Sequence, residues 1–311
     1  MASPNRPVVL VTGATGHQGS AIARHLLSAG AQIHALVRDP SSQAAVSLNA
    51  LGARLFVGDF DNIQSLKAAA EGANAVFLNV SPVHGDTSRD VLHAKNVIEA
   101  ARASGTVKTL VLSSVLMAGK HETFPGWGPG YPMAWYWESK AQIEDVVRSA
   151  DFETWTIIRP SFLMKNLLPP TANFFFPELF QKHSTLLTAF DPTTAIALCD
   201  EEDVGKLGAV AILEPAAFNG HEIDLGTESL TIAEIAREMG AASGKDITLQ
   251  FRSPEESERL AVDNVVVQSQ RWGNDVRYPL DYKKLDQYPV ELTKFATYLE
   301  KHKDEVQKAF S

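Results

Sequence analysis

Residues 8–19 read VVLVTGATGHQG, and no other stretch of the chain limits the fold so tightly. A run of strand-forming apolar residues leads into Gly13-x-x-Gly16-x-x-Gly19, and the helical stretch Ala21–Ala29 follows at once. Strand, glycine turn and helix in that order open a βαβ unit whose turn receives a dinucleotide. Gly13 takes backbone angles closed to other residues, Gly16 lets the main chain approach a pyrophosphate, and Gly19 lets helix and strand pack closely. The phosphates then meet free N–H groups at the positive end of a helix. In a chain with 20 glycines the spacing alone would mean little, and its place between strand and helix is what gives it meaning.

The alternation continues. Strands are predicted at Val8–Thr12, Gln32–Val37, Arg54–Val57, Ala75–Asn79, Thr109–Ser113 and Trp155–Ile158, with amphipathic stretches between them, the pattern of a parallel sheet covered on both faces. Leu116–Ala134, with four glycines and three prolines, is predicted as a long loop, and a second break falls at Leu168–Lys182. Beyond it, Thr231–Ala242 and Val290–Gln307 have helical spacing, and Glu222–Leu225 and Ile247–Phe251 read as strands. The expected fold is α/β: a Rossmann-like doubly wound parallel sheet with a smaller C-terminal α+β substrate part. Residues 1–166 form the nucleotide-binding domain, with 190–226 returning to it, and 167–189 and 227–311 form the smaller part.

Composition excludes several functions. Hydrophobic residues make up 45% of the 311 and charged residues 21%, as in a folded globular protein. Lys and Arg number 28 against 37 Asp and Glu, and the net charge of −9 gives no pull toward nucleic acid or anionic membrane. No apolar run reaches the roughly 18 residues of a spanning helix, and Met1–Pro7 lack the marks of a signal peptide. The single Cys199 fits a reducing, cytoplasmic location. The histidines, His17, His84, His93 and His121 among them, are never three or four apart, so no metal site is expected. No G-x-S-x-G elbow points to a hydrolase.

The second strand ends in Ala35-Leu-Val-Arg38-Asp39, where a guanidinium rather than a carboxylate meets the adenosine ribose. Arg38 pairs with a 2′-phosphate and favours NADP(H), with Ser41 and Ser42 as auxiliary donors, and Asp39 tempers the preference. Asp59 and Phe60 after the third strand suit the adenine, and Asn79 and Val80 follow the fourth. Tyr136 and Lys140 form Y-x-x-x-K, one helical face with an ammonium placed to lower the phenol pKa and to hold the nicotinamide ribose. Ser114, after the fifth strand, is the expected donor to a substrate oxygen, ahead of Ser113. Phe174–Phe176 with Trp127, Tyr131 and Trp135 offer an apolar wall for an aromatic substrate.

Together VTGATGHQG, ALVRDP, GARLFVGDFDNIQSL with GANAVFLNV, and YWESK leading to TIIRPSF resemble the short-chain dehydrogenase/reductase superfamily, in its atypical NmrA-like branch, and are similar also to isoflavone-reductase-type proteins. The match spans about residues 7 to 166. This resemblance implies a Rossmann-like fold, NADP(H) as cofactor and a role in secondary metabolism. It carries Gly13, Thr15, Gly16, His17, Gln18, Gly19, Arg38, Asp59, Phe60, Asn79, Val80, Lys140, Phe162 and Asn166 over as cofactor residues, and Ser114, Tyr136 and Lys140 as the catalytic set. The implied activity is reduction of a carbonyl or conjugated alkene of a small aromatic or cyclic metabolite, with Tyr136 donating the proton. A homodimer is compatible with that reading. The branch also contains redox sensors that act through a protein partner, and these typically lack the tyrosine.

Overall fold

A computed structural model describes residues 6–83, 86–181 and 184–311. Met1, His84 and Lys182, used in the sequence reading, lie outside the described residues. The chain forms two compact units: residues up to Gly119 with Trp135–Arg159 and Glu201–Asp224, and Lys120–Ala134 with Pro160–Asp200 and Leu225–Ser311.

In the first unit the predicted alternation is found. The elements β1 (Val8–Val11), α1 (His17–Ser28), β2 (Gln32–Val37), α2 (Gln43–Ala50), β3 (Arg54–Val57), α3 (Ile63–Ala70), β4 (Ala75–Leu78), α4 (Thr87–Ala103), β5 (Thr109–Ser113), α5 (Ala134–Arg148) and β6 (Thr154–Pro160) follow in turn. They build a seven-stranded sheet in the order His221–Leu225, β6, β5, β4, β1, β2, β3. Strands β1 to β6 run parallel. Chain order reverses at β1, which has β2 on one side and β4 on the other, so a switch point opens at the carboxyl ends of β1 and β4. This is the Rossmann-like arrangement expected from the sequence.

Strand periodicity of two assigns the faces. Leu10, Leu78, Leu110, Leu112 and Ile157 pack with Leu66 of α3, Val97 and Ile98 of α4, and Ile143 and Val147 of α5. Phe77 and Ile158, one residue out of phase, lie beside the helix Glu201–Leu213, where a Cβ on Gly208 would stand 3.5 and 3.7 Å from them. That helix also presses on α1, because a Cβ on Gly205 would fall 2.7 Å from Ala21. Each such fully buried aliphatic side chain stabilises the fold by about 1.5–3 kcal/mol over its exposed state.

A buried ion network ties α5 to the sheet. The carboxylate of Glu144 is fully buried and accepts hydrogen bonds from Arg159 Nε at 2.8 Å and Nη2 at 2.6 Å, and from Arg148 Nη2 at 2.8 Å. Arg148 Nε donates to Glu222 at 2.7 Å, and Arg159 also pairs with Glu222. Burial opposes the charge of Arg159, but the hydrogen bonds and fields of Glu144 and Glu222 more than offset it and raise the guanidinium pKa.

The second unit holds a three-stranded sheet in the order Glu228–Thr231, Ala195–Cys199, Phe162–Leu163, and a parallel pair of Thr185–Thr188 with Thr248–Phe251. Helix Ile232–Ser243 begins with a Thr231/Glu234 capping box and ends at left-handed Gly244. The single helix predicted over Val290–Gln307 is instead two, Phe295–Lys301 and Lys303–Ala309. The amide of Phe295 is taken by Glu228 Oε1 at 2.6 Å, and His302 departs from helical angles at φ −102°, ψ 21°. Leu116–Ala134 is irregular apart from the short 3-10 turn His121–Thr123, as expected of a loop.

Candidate cofactor and catalytic site

The glycine turn is built around the Gly13 carbonyl. Gly13 stands at φ +60°, and a Cβ there would lie 3.3 Å from the carbonyl oxygen of Asn79. The Gly16 amide donates to Gly13 O at 2.9 Å, and a Cβ on Gly19 would be only 2.1 Å from that same oxygen. Gly16 caps α1 without a side-chain hydrogen bond, whereas Ser42, Asn62 and Asp86 cap α2, α3 and α4 with theirs. Helix α1 thus begins with backbone donors that its own cap residue does not use, the arrangement an anion requires. Thr15 and His17 are exposed on the turn, and Gln18 faces β5, where its Oε1 accepts from Ser113 Oγ.

The turn is fastened to the neighbouring strand. Thr12 Oγ1 donates toward Phe77 O and Asn79 O, at 3.1 and 3.2 Å, and receives the Asn79 amide at 2.8 Å. Both residues therefore leave the strands predicted to contain them and link the ends of β1 and β4. Arg38 is exposed after β2, with no ion pair among the described residues. Asp39 is turned to its own loop, where Ser41 donates to it from both N (2.8 Å) and Oγ (2.6 Å), and these bonds lower its carboxyl pKa. Ser42 Oγ donates to Asp39 O and accepts from Ala45 N, so both serines are engaged locally. The Asp59 carboxylate accepts the amides of Asp61 and Asn62, each at 3.0 Å, and Phe60 lies beside His93 with ring centres 5.4 Å apart. Asp59 is thus a turn-forming residue at the start of α3.

Ser114 Oγ is buried and has no hydrogen-bond partner among the described residues, while Ser113 is occupied by Gln18. An orphaned buried hydroxyl costs about 1–3 kcal/mol unless a ligand meets it. Lys140 is 5% exposed, and its Nζ donates one long hydrogen bond, 3.4 Å, to the Val80 carbonyl. The ammonium lies 5.8 Å from the centre of the Tyr136 ring. Helical i,i+4 spacing brings the pair together as predicted, but the cation stands over the ring. The phenol pKa is not lowered: burial, joined by the field of Asp90, pushes it up. Burial pulls the Lys140 pKa down against the opposing fields of Asp90 and Glu144.

These contacts draw Gly13, Gly16, Gly19, Gln18, Asn79, Val80, Ser114, Tyr136 and Lys140 to one edge of the first unit, at the carboxyl ends of β1, β4 and β5. Phe162 and Asn166 belong to the second unit, Phe162 in a short strand with its ring 5.4 Å from Phe175 and Asn166 in the turn Met164–Leu167. The sequence reading missed Thr12, Asp90 and Ser139. Asp90 is fully buried, with Oδ1 accepting the Val83 amide at 2.6 Å and Oδ2 accepting Ser139 Oγ at 3.1 Å. Ser139 adjoins Lys140 in the YWESK segment, the one local sign of it.

The family model described as the NmrA-like family matches residues 5–299. The chain belongs to the NmrA-like family. It is 42% identical over 120 residues to the NmrA-like family domain-containing oxidoreductase notA of Aspergillus sp. (strain MF297-2), a match covering 37% of this chain and 35% of that protein. The chain thus spans about a third of the length of that relative. Similarity to the NAD(P)H azoreductase of Xenophilus azovorans is broader, 28% over 243 residues, covering 77% of this chain and 75% of the other. Among solved structures, the Citrobacter sp. triphenylmethane reductase complexed with NADP(H) superposes with a TM-score of 0.75 at 19% identity, covering 95% of this chain and 99% of that one. That likeness concerns the fold. Among the described residues of this NmrA-like protein no helix is long and apolar enough to cross a membrane, and no group of three or more His, Cys, Asp or Glu could hold a metal ion.

Proposed function

We propose that this NmrA-like protein is an NADP(H)-dependent reductase that passes a hydride to a carbonyl or conjugated alkene of a small aromatic or cyclic molecule. The observation that carries the reading is a set of unspent polar groups at one sheet edge. The uncapped start of α1, the orphaned Ser114 hydroxyl and the lightly bonded Lys140 ammonium are each incomplete without a ligand. The glycine turn and α1 would hold the pyrophosphate, Arg38 the 2′-phosphate, and Lys140 and Asn79 the nicotinamide half. NADPH, when bound, supplies the hydride. Ser114 donates a hydrogen bond to the acceptor oxygen as charge grows there. Tyr136, kept a neutral phenol, gives up its proton to the reduced substrate. Its ring stands 5.8 Å from that of the partly exposed Trp135, an apolar neighbour that favours an aromatic acceptor.

Two outcomes follow. Tyr136→Phe should bind NADPH within about twofold of the parent and lose about a hundredfold to ten-thousandfold in turnover of quinones, enones or aromatic ketones. Unchanged turnover would remove Tyr136 from the chemistry. Arg38→Ser should weaken NADPH about tenfold to a hundredfold in a fluorescence titration and leave NADH unchanged, since only the phosphate contact is lost. Equal losses for both cofactors would contradict the NADP preference. A second reading, a sensor acting through a protein partner, draws on the raised phenol pKa, which makes Tyr136 a weak acid. Tight NADPH binding with no turnover across the substrate panel would favour it.

A further inference from the structure

Two buried groups of opposite charge lie in the same packed region of the first unit, and neither belongs to an ion pair within 4.0 Å among the described residues. Lys140 on α5 donates to the Val80 carbonyl and stands over the Tyr136 ring. Asp90 on α4 is held by two neutral donors, the Val83 amide and the Ser139 hydroxyl. Val80 and Val83 belong to the chain leaving β4, and Ser139 precedes Lys140. Asp90 therefore grips the segment on each side of the lysine without touching its ammonium. A buried charge without compensation is costly enough to neutralise itself by a pKa shift. The groups acting on Lys140 are few: the Val80 carbonyl after β4, Tyr136 and Glu144 on α5, and Asp90 on α4. Glu144 is already bonded to Arg159 of β6 and Arg148 of α5. Asp90 is the carboxylate whose field is not spent on an arginine.

We propose that Asp90 is a positioning residue: the fixed counter-charge that keeps Lys140 an ammonium while leaving its N–H donors for a ligand. A direct salt bridge would hold the charge equally well but would occupy those donors. Spending the carboxylate's own lone pairs on Val83 and Ser139 pins it at a distance and leaves the lysine available. The same field opposes ionisation of Tyr136, so one carboxylate keeps the lysine charged and the phenol neutral. The inference builds on the reading of Lys140 as a cofactor and catalytic residue, but the charge of Lys140 is measurable without cofactor or turnover.

The test is an NMR titration of the ligand-free full chain labelled with carbon-13 at lysine Cε, from pH 6 to 10.5. The Lys140 resonance is assigned by its absence in Lys140→Met. In Asp90→Asn the Lys140 midpoint should fall by about one pH unit or more. Ser139→Ala, which removes a hydrogen bond but no charge, should move it by less than about 0.3 units, a difference that loss of packing alone would not produce. A midpoint in Asp90→Asn equal to that of the parent overturns the proposal. If Asp90→Asn does not fold by circular dichroism, Asp90→Ser takes its place in the comparison, and a parent midpoint below about pH 8 overturns the proposal in any case. Failure of NADPH binding or oxidation with these midpoints as expected would count against the reductase reading alone.

Discussion

Gly19→Ala should lower NADPH affinity at least about a hundredfold. The added methyl carbon would fall 2.1 Å from the Gly13 carbonyl oxygen, 2.6 Å from its carbon and 3.0 Å from Ala14 Cα, all of them backbone atoms. No rotamer change relieves that overlap, so either the turn or α1 must move. Helix α1 has no room on its far side, where a Cβ on Gly205 would already meet Ala21 at 2.7 Å and one on Gly208 would meet Ile22 at 2.7 Å. The turn yields instead, and the Gly16–Gly13 hydrogen bond goes with it. Overpacking of this kind costs about 1–3 kcal/mol in stability, so the variant should fold with a lower Tm and be deficient chiefly in binding. Gly72→Ala is the control. It strains a left-handed glycine, at φ +73°, which Gly19 is not, but meets nothing within 4 Å and should keep full NADPH affinity. If Gly19→Ala binds NADPH as the parent does, the glycine turn is not the pyrophosphate cradle.

How much of this site was readable in advance depended on the range of the contacts involved. The glycine turn was legible because its main demands are local, a positive φ at Gly13 and a strand-to-helix crossing at Gly19 that any such sequence must make. The central sheet was legible for a related reason, since its apolar β-branched runs have few alternatives to a strand covered on both faces. The Tyr136–Lys140 spacing gave the shared helical face, but a period of 3.6 residues says nothing about where a flexible four-carbon stem carries its ammonium, and here it lies over the ring. Asp59 follows β3 as expected, and its carboxylate also closes the turn into α3, a use that Asp makes locally wherever amide donors lie two and three residues ahead. Asp90 was invisible because Ser139, 49 residues on, is brought to it by the packing of α4 and α5, and the Val83 amide by a loop with no recognisable pattern. The helix expected over Val290–Gln307 starts only at Phe295, whose amide a tertiary contact gives to Glu228, and is divided at His302.

The other large effect concerns what holds α5 in place. Arg159→Met should destabilise the protein by about 3–5 kcal/mol, because it leaves the fully buried Glu144 carboxylate with Arg148 as its cationic partner. The double variant Glu144→Leu/Arg159→Met removes both charges from the interior and should recover at least half of that loss in a denaturant titration. Such recovery would mean that the pair is not retained for stability alone. Glu144 lies one turn beyond Lys140 on α5, and Arg159 lies in β6, so the network links the helix that carries Tyr136 and Lys140 to the sheet. NADPH affinity measured on the double variant separates the two roles. Stability restored with affinity still reduced would assign the network to orienting α5, whereas recovery of both would reduce it to one of several ways of filling the space between α5 and β6.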